Sequence, residues 1–75
     1  MWKHSPNALY QLFTFNNFSE AFAFISKVAL LAEQNNHHPT IKNTYNKVEI
    51  WLSTHDAGNS VTQKDIQMAS AIDTL

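Results

Sequence analysis

Between Asn16-Asn17 and Asn35-Asn36, the residues Phe18, Ala21, Phe22, Ile25, Val28, Ala29 and Ala32 recur at intervals of three and four. That spacing puts them on one side of an α-helix. Asn17 and Glu20 have the spacing of a capping box, in which two side chains satisfy backbone N–H groups that the first helical turn leaves free. At the far end, Asn35-Asn36 suits the left-handed conformation that closes a helix. A helix over residues 18–34 is a large part of a 75-residue chain, and the rest must be arranged to cover it. Phe24, Leu30 and Leu31 widen the stripe. The helix is therefore expected to face a sheet and, beyond it, either another subunit or a covering terminal segment.

The other segments supply that sheet. Residues 8–15 are rich in aromatic and aliphatic side chains, with Leu9, Gln11, Phe13 and Phe15 on one strand face. Residues 41–45 and 47–54 read as two further strands joined by a short turn near Asn46. In the second, Val48, Ile50 and Leu52 alternate with Glu49, Trp51 and Ser53, the pattern of a half-buried strand with an open opposite face. His55 has the parity of that open face and is expected at the strand end. Residues 56–60 form a loop around the only glycine, Gly58. Thr62 and Asp65 give a second capping box, and a closing helix runs to about Thr74 with Ile66, Met68, Ala69, Ile72 and Leu75 as its apolar positions. The expected architecture is α+β: a small antiparallel sheet of about three strands, two helices packed on one face, in the order β-α-β-β-α, as one domain over residues 1–75.

Composition removes several functional classes. Five lysines, no arginine and six carboxylates leave a formal charge of −1, so no basic field draws nucleic acid or anionic lipid. No apolar run is long enough to span a bilayer, and the segment from Met1 to Pro6 lacks a signal-peptide core, so cytoplasmic residence is the default expectation. Without cysteine there is no disulfide and no thiolate metal cage. A core this small makes self-association a source of stability.

What remains distinctive is a constellation: Glu33, His37, His38, Pro39, Tyr45, His55 and Asp65. Imidazole exchanges protons near neutral pH without environmental help, so a histidine cluster with nearby carboxylates points to acid–base chemistry. Glu33 sits in the last helical turn, where the macrodipole disfavours a carboxylate, and just ahead of the histidine pair, whose protonated form both would favour. His37 and His38, adjacent in an extended segment, point to opposite sides, with Pro39 holding His38 extended. An antiparallel return through the turn near Asn46 brings His55 back toward them, so that three imidazoles line one pocket. Three histidines and a carboxylate also match the ligand count of catalytic zinc, but the divergence of His37 from His38 argues for a metal-free site.

The spacing from Glu33 through His37-His38-Pro39, Tyr45 and His55 to Asp65 resembles the signature of the pterin-4a-carbinolamine dehydratases. So do Tyr45-Asn46-Lys47-Val48, Leu52-Ser53-Thr54-His55 and the helix from Phe18 to Glu33, and the similarity covers about Ala8 to the C-terminus. The resemblance implies dehydration of a 4a-hydroxytetrahydropterin to the quinonoid dihydropterin, the recycling step after aromatic amino-acid hydroxylation, with no metal or organic cofactor. It assigns His37 and His55 to proton transfer, and His38 to holding and polarising the substrate. Glu33 orients or charges the histidine pair, and Pro39, Ser53 and Thr54 shape the pterin pocket. Tyr45 and Asp65 are structural members of the motif. Partners implied are the pterin itself and further copies of the chain in a homodimer or homotetramer. The family also includes a member that binds a transcription factor, so a non-catalytic interaction module is the alternative, and a degenerate pterin-binding relative a third reading.

Two departures from the family pattern carry consequences. Thr40-Ile41 stand where an acidic residue and a tryptophan often follow the His-His-Pro triplet, which removes an aromatic wall and predicts weaker pterin affinity. The usual helix ahead of the first strand is also missing from this sequence. Outside the motif the ordinary readings hold: His4 is structural, Trp51 is a packing residue or an interface anchor, and the scattered Lys3, Lys27, Lys42, Lys47 and Lys64 serve solubility.

Overall fold

In the computed structural model, which describes residues 1–75, the first helix, α1 (Phe18–Asn35), is held at both ends as its sequence predicts. Asn17 accepts a hydrogen bond from the Glu20 N–H, and Glu20 returns one from the Asn16 N–H, one residue earlier than the box predicts. Asn36 closes the helix with φ 48. Two strands precede α1, β1 (Lys3–His4) and β2 (Leu9–Thr14); β3 (Thr40–Thr44), β4 (Lys47–Leu52), a 3-10 turn (His55–Ala57) and α2 (Gln63–Asp73) follow.

The four strands form one antiparallel sheet in the order β1-β2-β4-β3. This is one strand more than the sequence predicts. β1 has two residues, too few for any alternation to register, and is visible only through its pairing, Lys3 with Tyr10 and His4 with Leu9. The pairing of Thr44 with Lys47 leaves Tyr45-Asn46 as the turn between β3 and β4. A second correction concerns β4, which ends at Leu52 rather than Thr54. His55 therefore belongs to the 3-10 turn and not to a strand end.

Both helices pack on the same face of the sheet. Leu9, Val48, Ile50 and Leu52 from the strands, Ala21, Val28 and Ala32 from α1, and Met68, Ala69 and Ile72 from α2 form one buried cluster. Each large aliphatic side chain there contributes about 1.5–3 kcal/mol through removal from water. Around it pack Phe13, Phe15, Phe24 and Leu31. Not every predicted apolar position is inside. Ile66 and Leu75 are 48% and 46% exposed, because α2 turns only its Met68, Ala69 and Ile72 side to the core. On α1, Phe18, Phe22 and Leu30 also face outward. No helix is long and apolar enough to cross a membrane.

Candidate active site

The site begins where α1 stops. With Asn36 in the left-handed region, its N–H bonds back to the α1 carbonyls and the His37 N–H donates to the Ala32 carbonyl at 3.0 Å, which turns the chain out of the helix axis. The two following imidazoles then part. His37 Nε2 lies 2.6 Å from Asp65 Oδ1, while His38 Nε2 lies 2.6 Å from Glu33 Oε2. The first pair is enclosed, with side chains 11% and 0% exposed; the second is open, at 57% and 77%. Glu33 thus meets only His38. His37 turns to α2 instead.

Asp65 is the third residue of α2 and uses both carboxylate oxygens. Oδ2 accepts from the Thr62 N–H at 2.8 Å, as the predicted capping box requires, and from the Thr54 hydroxyl at 2.7 Å. The Thr62 hydroxyl turns to Thr54. Burial pushes the Asp65 carboxyl up, but the bonds from His37, Thr62 and Thr54, with the His37 charge, outweigh it and hold the carboxyl below its usual range.

His55 arrives by a different route. After β4, the Thr54 N–H donates to the Ser60 carbonyl at 2.9 Å, closing a small loop over residues 54–60. Gly58 (φ 71) and Asn59 (φ 58) make its reversal, a place where glycine is the undemanding residue. The loop sets His55 beside the histidine pair, with Nδ1 3.4 Å from Asn59 Oδ1.

Together these segments enclose a cleft of about 270 Å³ lined by Asn36, His37, His38, Ser53, Thr54, His55, Asp56 and Lys64, with no hydrophobic residue on its wall. Of the positions singled out by sequence, the three histidines, Ser53 and Thr54 meet there. Glu33 and Pro39 do not line it, and neither does Tyr45, which sits in the β3–β4 turn. The Thr54 hydroxyl is already engaged by Asp65 and Thr62. Asn36, Asp56 and Lys64 were not expected there: one reads as a helix cap, one as loop, one as a solvated charge. Asp65 was expected as a cap, and its place in the seven-residue constellation was the only sign of a partner in His37. No three His, Asp or Glu side chains converge as metal ligands do. A larger groove of about 520 Å³ lies elsewhere, between Trp2, Phe13, Phe24 and Ile72. Its one titratable side chain, Asp73, accepts a hydrogen bond from Trp2, and the histidines gather at the polar cleft instead.

Chemically, the cleft offers three imidazoles on independent supports, a cation and a carboxylate, with no Phe, Tyr or Trp on its wall. Such a wall suits a polar, hydrogen-bonding molecule and carries groups able to give and take protons.

Comparison with known proteins agrees. The family model for pterin 4 alpha carbinolamine dehydratase matches residues 1–75. The chain is 50% identical over 68 residues to a provisionally named pterin-4-alpha-carbinolamine dehydratase of Nitrobacter hamburgensis, covering 91% of this chain and 66% of that protein. Another so named, from Prochlorococcus marinus, is 51% identical over 74 residues, covering 99% and 77%. The chain thus spans about two-thirds to three-quarters of the length of these relatives. A solved structure described as a transcriptional coactivator/pterin dehydratase from Brucella melitensis superposes with a TM-score of 0.89 at 40% identity, covering 97% of this chain and 79% of that one. A pterin dehydratase-like RuBisCO assembly factor of the alpha-carboxysome, at TM-score 0.78 and 23% identity over 99% and 84%, shares the fold. With its whole length matched by the family model and about half of its aligned residues identical to such relatives, this chain belongs to the pterin-4-alpha-carbinolamine dehydratase family.

Proposed function

We propose that the protein dehydrates a 4a-hydroxytetrahydropterin to the quinonoid dihydropterin. In that reaction the C4a–O bond breaks and the hydroxyl takes up a proton to leave as water. The N5–H proton is removed and its electron pair becomes the new C4a=N5 double bond. One proton enters and one departs, so the reaction needs an acid at the C4a hydroxyl and a base at N5 and no redox partner. The observation that carries the reading is the meeting of His37, His38 and His55 on one polar cleft. His37 and His55, supported by different segments, exchange the protons. His38, steadied by Glu33, holds and polarises the pterin, and Ser53 and Thr54 shape the wall. Without Phe, Tyr or Trp there, binding rests on hydrogen bonds and on the imidazole rings rather than on a large aromatic wall.

The test is to generate the 4a-hydroxypterin in a coupled hydroxylase reaction and follow its ultraviolet decay. The wild-type chain is expected to accelerate that decay, and His37→Ala and His55→Ala each to lower the acceleration by about 10²–10⁴-fold. Equal decay with and without protein would remove the enzymatic reading. We propose further that the protein works as a homodimer or homotetramer, through the outward apolar side of α1 and the open sheet edges.

The second reading is an interaction module. It is favoured by the exposure of Phe18, Phe22 and Leu30 on α1, and by the description of the Brucella protein as a transcriptional coactivator as well as a dehydratase. In that role the histidine variants leave partner binding intact.

A further inference from the structure

Asp65 is buried, yet it makes a 2.6 Å contact with a wall residue of the cleft. Its Oδ1 faces His37 Nε2 at 2.6 Å, and its Oδ2 accepts from Thr54 and Thr62. The partners of Oδ2 are all donors. A carboxylate so surrounded, held below its usual range, is ionised at neutral pH and has no proton to give. The proton in the 2.6 Å bond therefore resides on His37 Nε2. A neutral imidazole carries only one ring proton, so Nδ1 is then a bare acceptor.

We infer that Asp65 is the positioning residue of His37: it fixes the ring as the Nε2–H tautomer and makes Nδ1 the atom that exchanges a proton across the cleft. The inference rests on the dehydratase reading and names the reacting atom of one of its histidines. When Nδ1 takes a proton, the positive charge forms next to the Asp65 carboxylate, which stabilises it as the ring-orienting carboxylate of a catalytic triad does. His55 is placed the other way round. Its Nδ1 is the nitrogen beside Asn59, which leaves Nε2 for the substrate. The two proton-exchanging rings thus present different nitrogens. The Asp65 contact also links His37, which follows α1, to the first turn of α2, so the ring is supported by an element it does not belong to.

Because Asp65 also caps α2, the informative variant preserves the cap. Asp65→Asn keeps the size and one oxygen for Thr54 and Thr62, and turns an NH₂ group toward His37. That group donates to Nε2 and drives the ring proton to Nδ1, so Nδ1 changes from acceptor to donor. The expected result is a kcat lower by about 10²–10⁴-fold with KM changed by less than about 3-fold. Nitrogen-15 NMR of the neutral ring should show His37 protonated at Nε2 in the wild type and at Nδ1 in the variant. Thr62→Ala separates stability from positioning. It weakens the Thr54–Thr62–Asp65 cluster but spares the His37 contact, and should lower Tm while leaving the tautomer and, within about 3-fold, kcat unchanged. A neutral wild-type ring protonated at Nδ1, or Asp65→Asn with wild-type kcat, overturns the inference. A wild-type protein without dehydratase activity removes the proposed function instead, and the NMR spectrum still decides the role of Asp65.

Discussion

Two carboxylate–imidazole contacts of the same length, 2.6 Å, have different consequences because of where they lie. Glu33 and His38 stand in solvent, where screening and side-chain entropy take back most of what the contact gains. Asp65 is fully enclosed and shares its charge among His37, Thr54 and Thr62. The folded carboxyl binds its proton less readily than the unfolded one, so its contribution to stability is complete above the unfolded carboxylate range, near pH 4. That contribution is lost as pH falls through the lower, folded value. Urea unfolding between about pH 5 and pH 2, below the ordinary histidine range, should therefore show a falling midpoint for the wild type. Asp65→Asn should show a distinctly shallower fall over the same interval. Parallel curves would mean that the network contributes nothing to acid sensitivity.

Among the elements, the β3–β4 hairpin holds the one backbone conformation that its residue does not favour. Tyr45 has φ 50, a region that costs a bulky L-residue about 1 kcal/mol or more. Its neighbours enforce it: Asn43 Nδ2 donates to the Tyr45 and Lys47 carbonyls, and Asn46 exchanges two hydrogen bonds with Phe15. Since the Tyr45 ring is largely exposed, Tyr45→Asn should raise stability by about 0.5–1 kcal/mol, read as a higher urea midpoint. An unchanged or lower midpoint would mean that the ring contributes more than its exposure indicates. This hairpin also marks how far the sequence can be read. The turn near Asn46, the alternation of β4 and the caps of α1 were legible because each is a local pattern with its own period or spacing. β1 was not, having no period, and neither was the early end of β4, whose parity continues through Ser53 and Thr54. In the site, the histidines stood out by type. The Asp65 partnership did not, because His37 is 28 positions away and a local role as helix cap already accounted for the aspartate. Asn36, Asp56 and Lys64 carry no pattern that separates a cleft wall from ordinary polar surface.

At the scale of the whole molecule, the limiting fact is how little is inside: 12 of 75 residues are buried, while Phe18, Phe22 and Leu30 on α1 are 51%, 54% and 66% exposed. Phe18 and Phe22 stack one turn apart, with ring centroids 5.9 Å apart, and extend the apolar surface of the helix away from the sheet. Burying that side against a second copy adds the core that a chain of this length cannot supply alone. The outer edge of β3 offers another route, by strand pairing, but its Lys42 is 66% exposed and a charged edge resists such pairing. Sedimentation velocity should therefore find the wild type self-associated. Phe22→Glu with Leu30→Glu should shift it to smaller species with a lower Tm, because charge on the contact blocks burial. A double variant that becomes a monomer assigns the whole assembly to α1, whereas one that halts at a dimer assigns the surviving contact to the sheet edge. A wild type that stays monomeric at concentrations well above micromolar would sink the oligomer proposal and leave the α1 face to a different partner. His37, His38 and His55 are on none of these surfaces, so dehydratase activity per chain should persist in the dissociated variant at temperatures below its Tm.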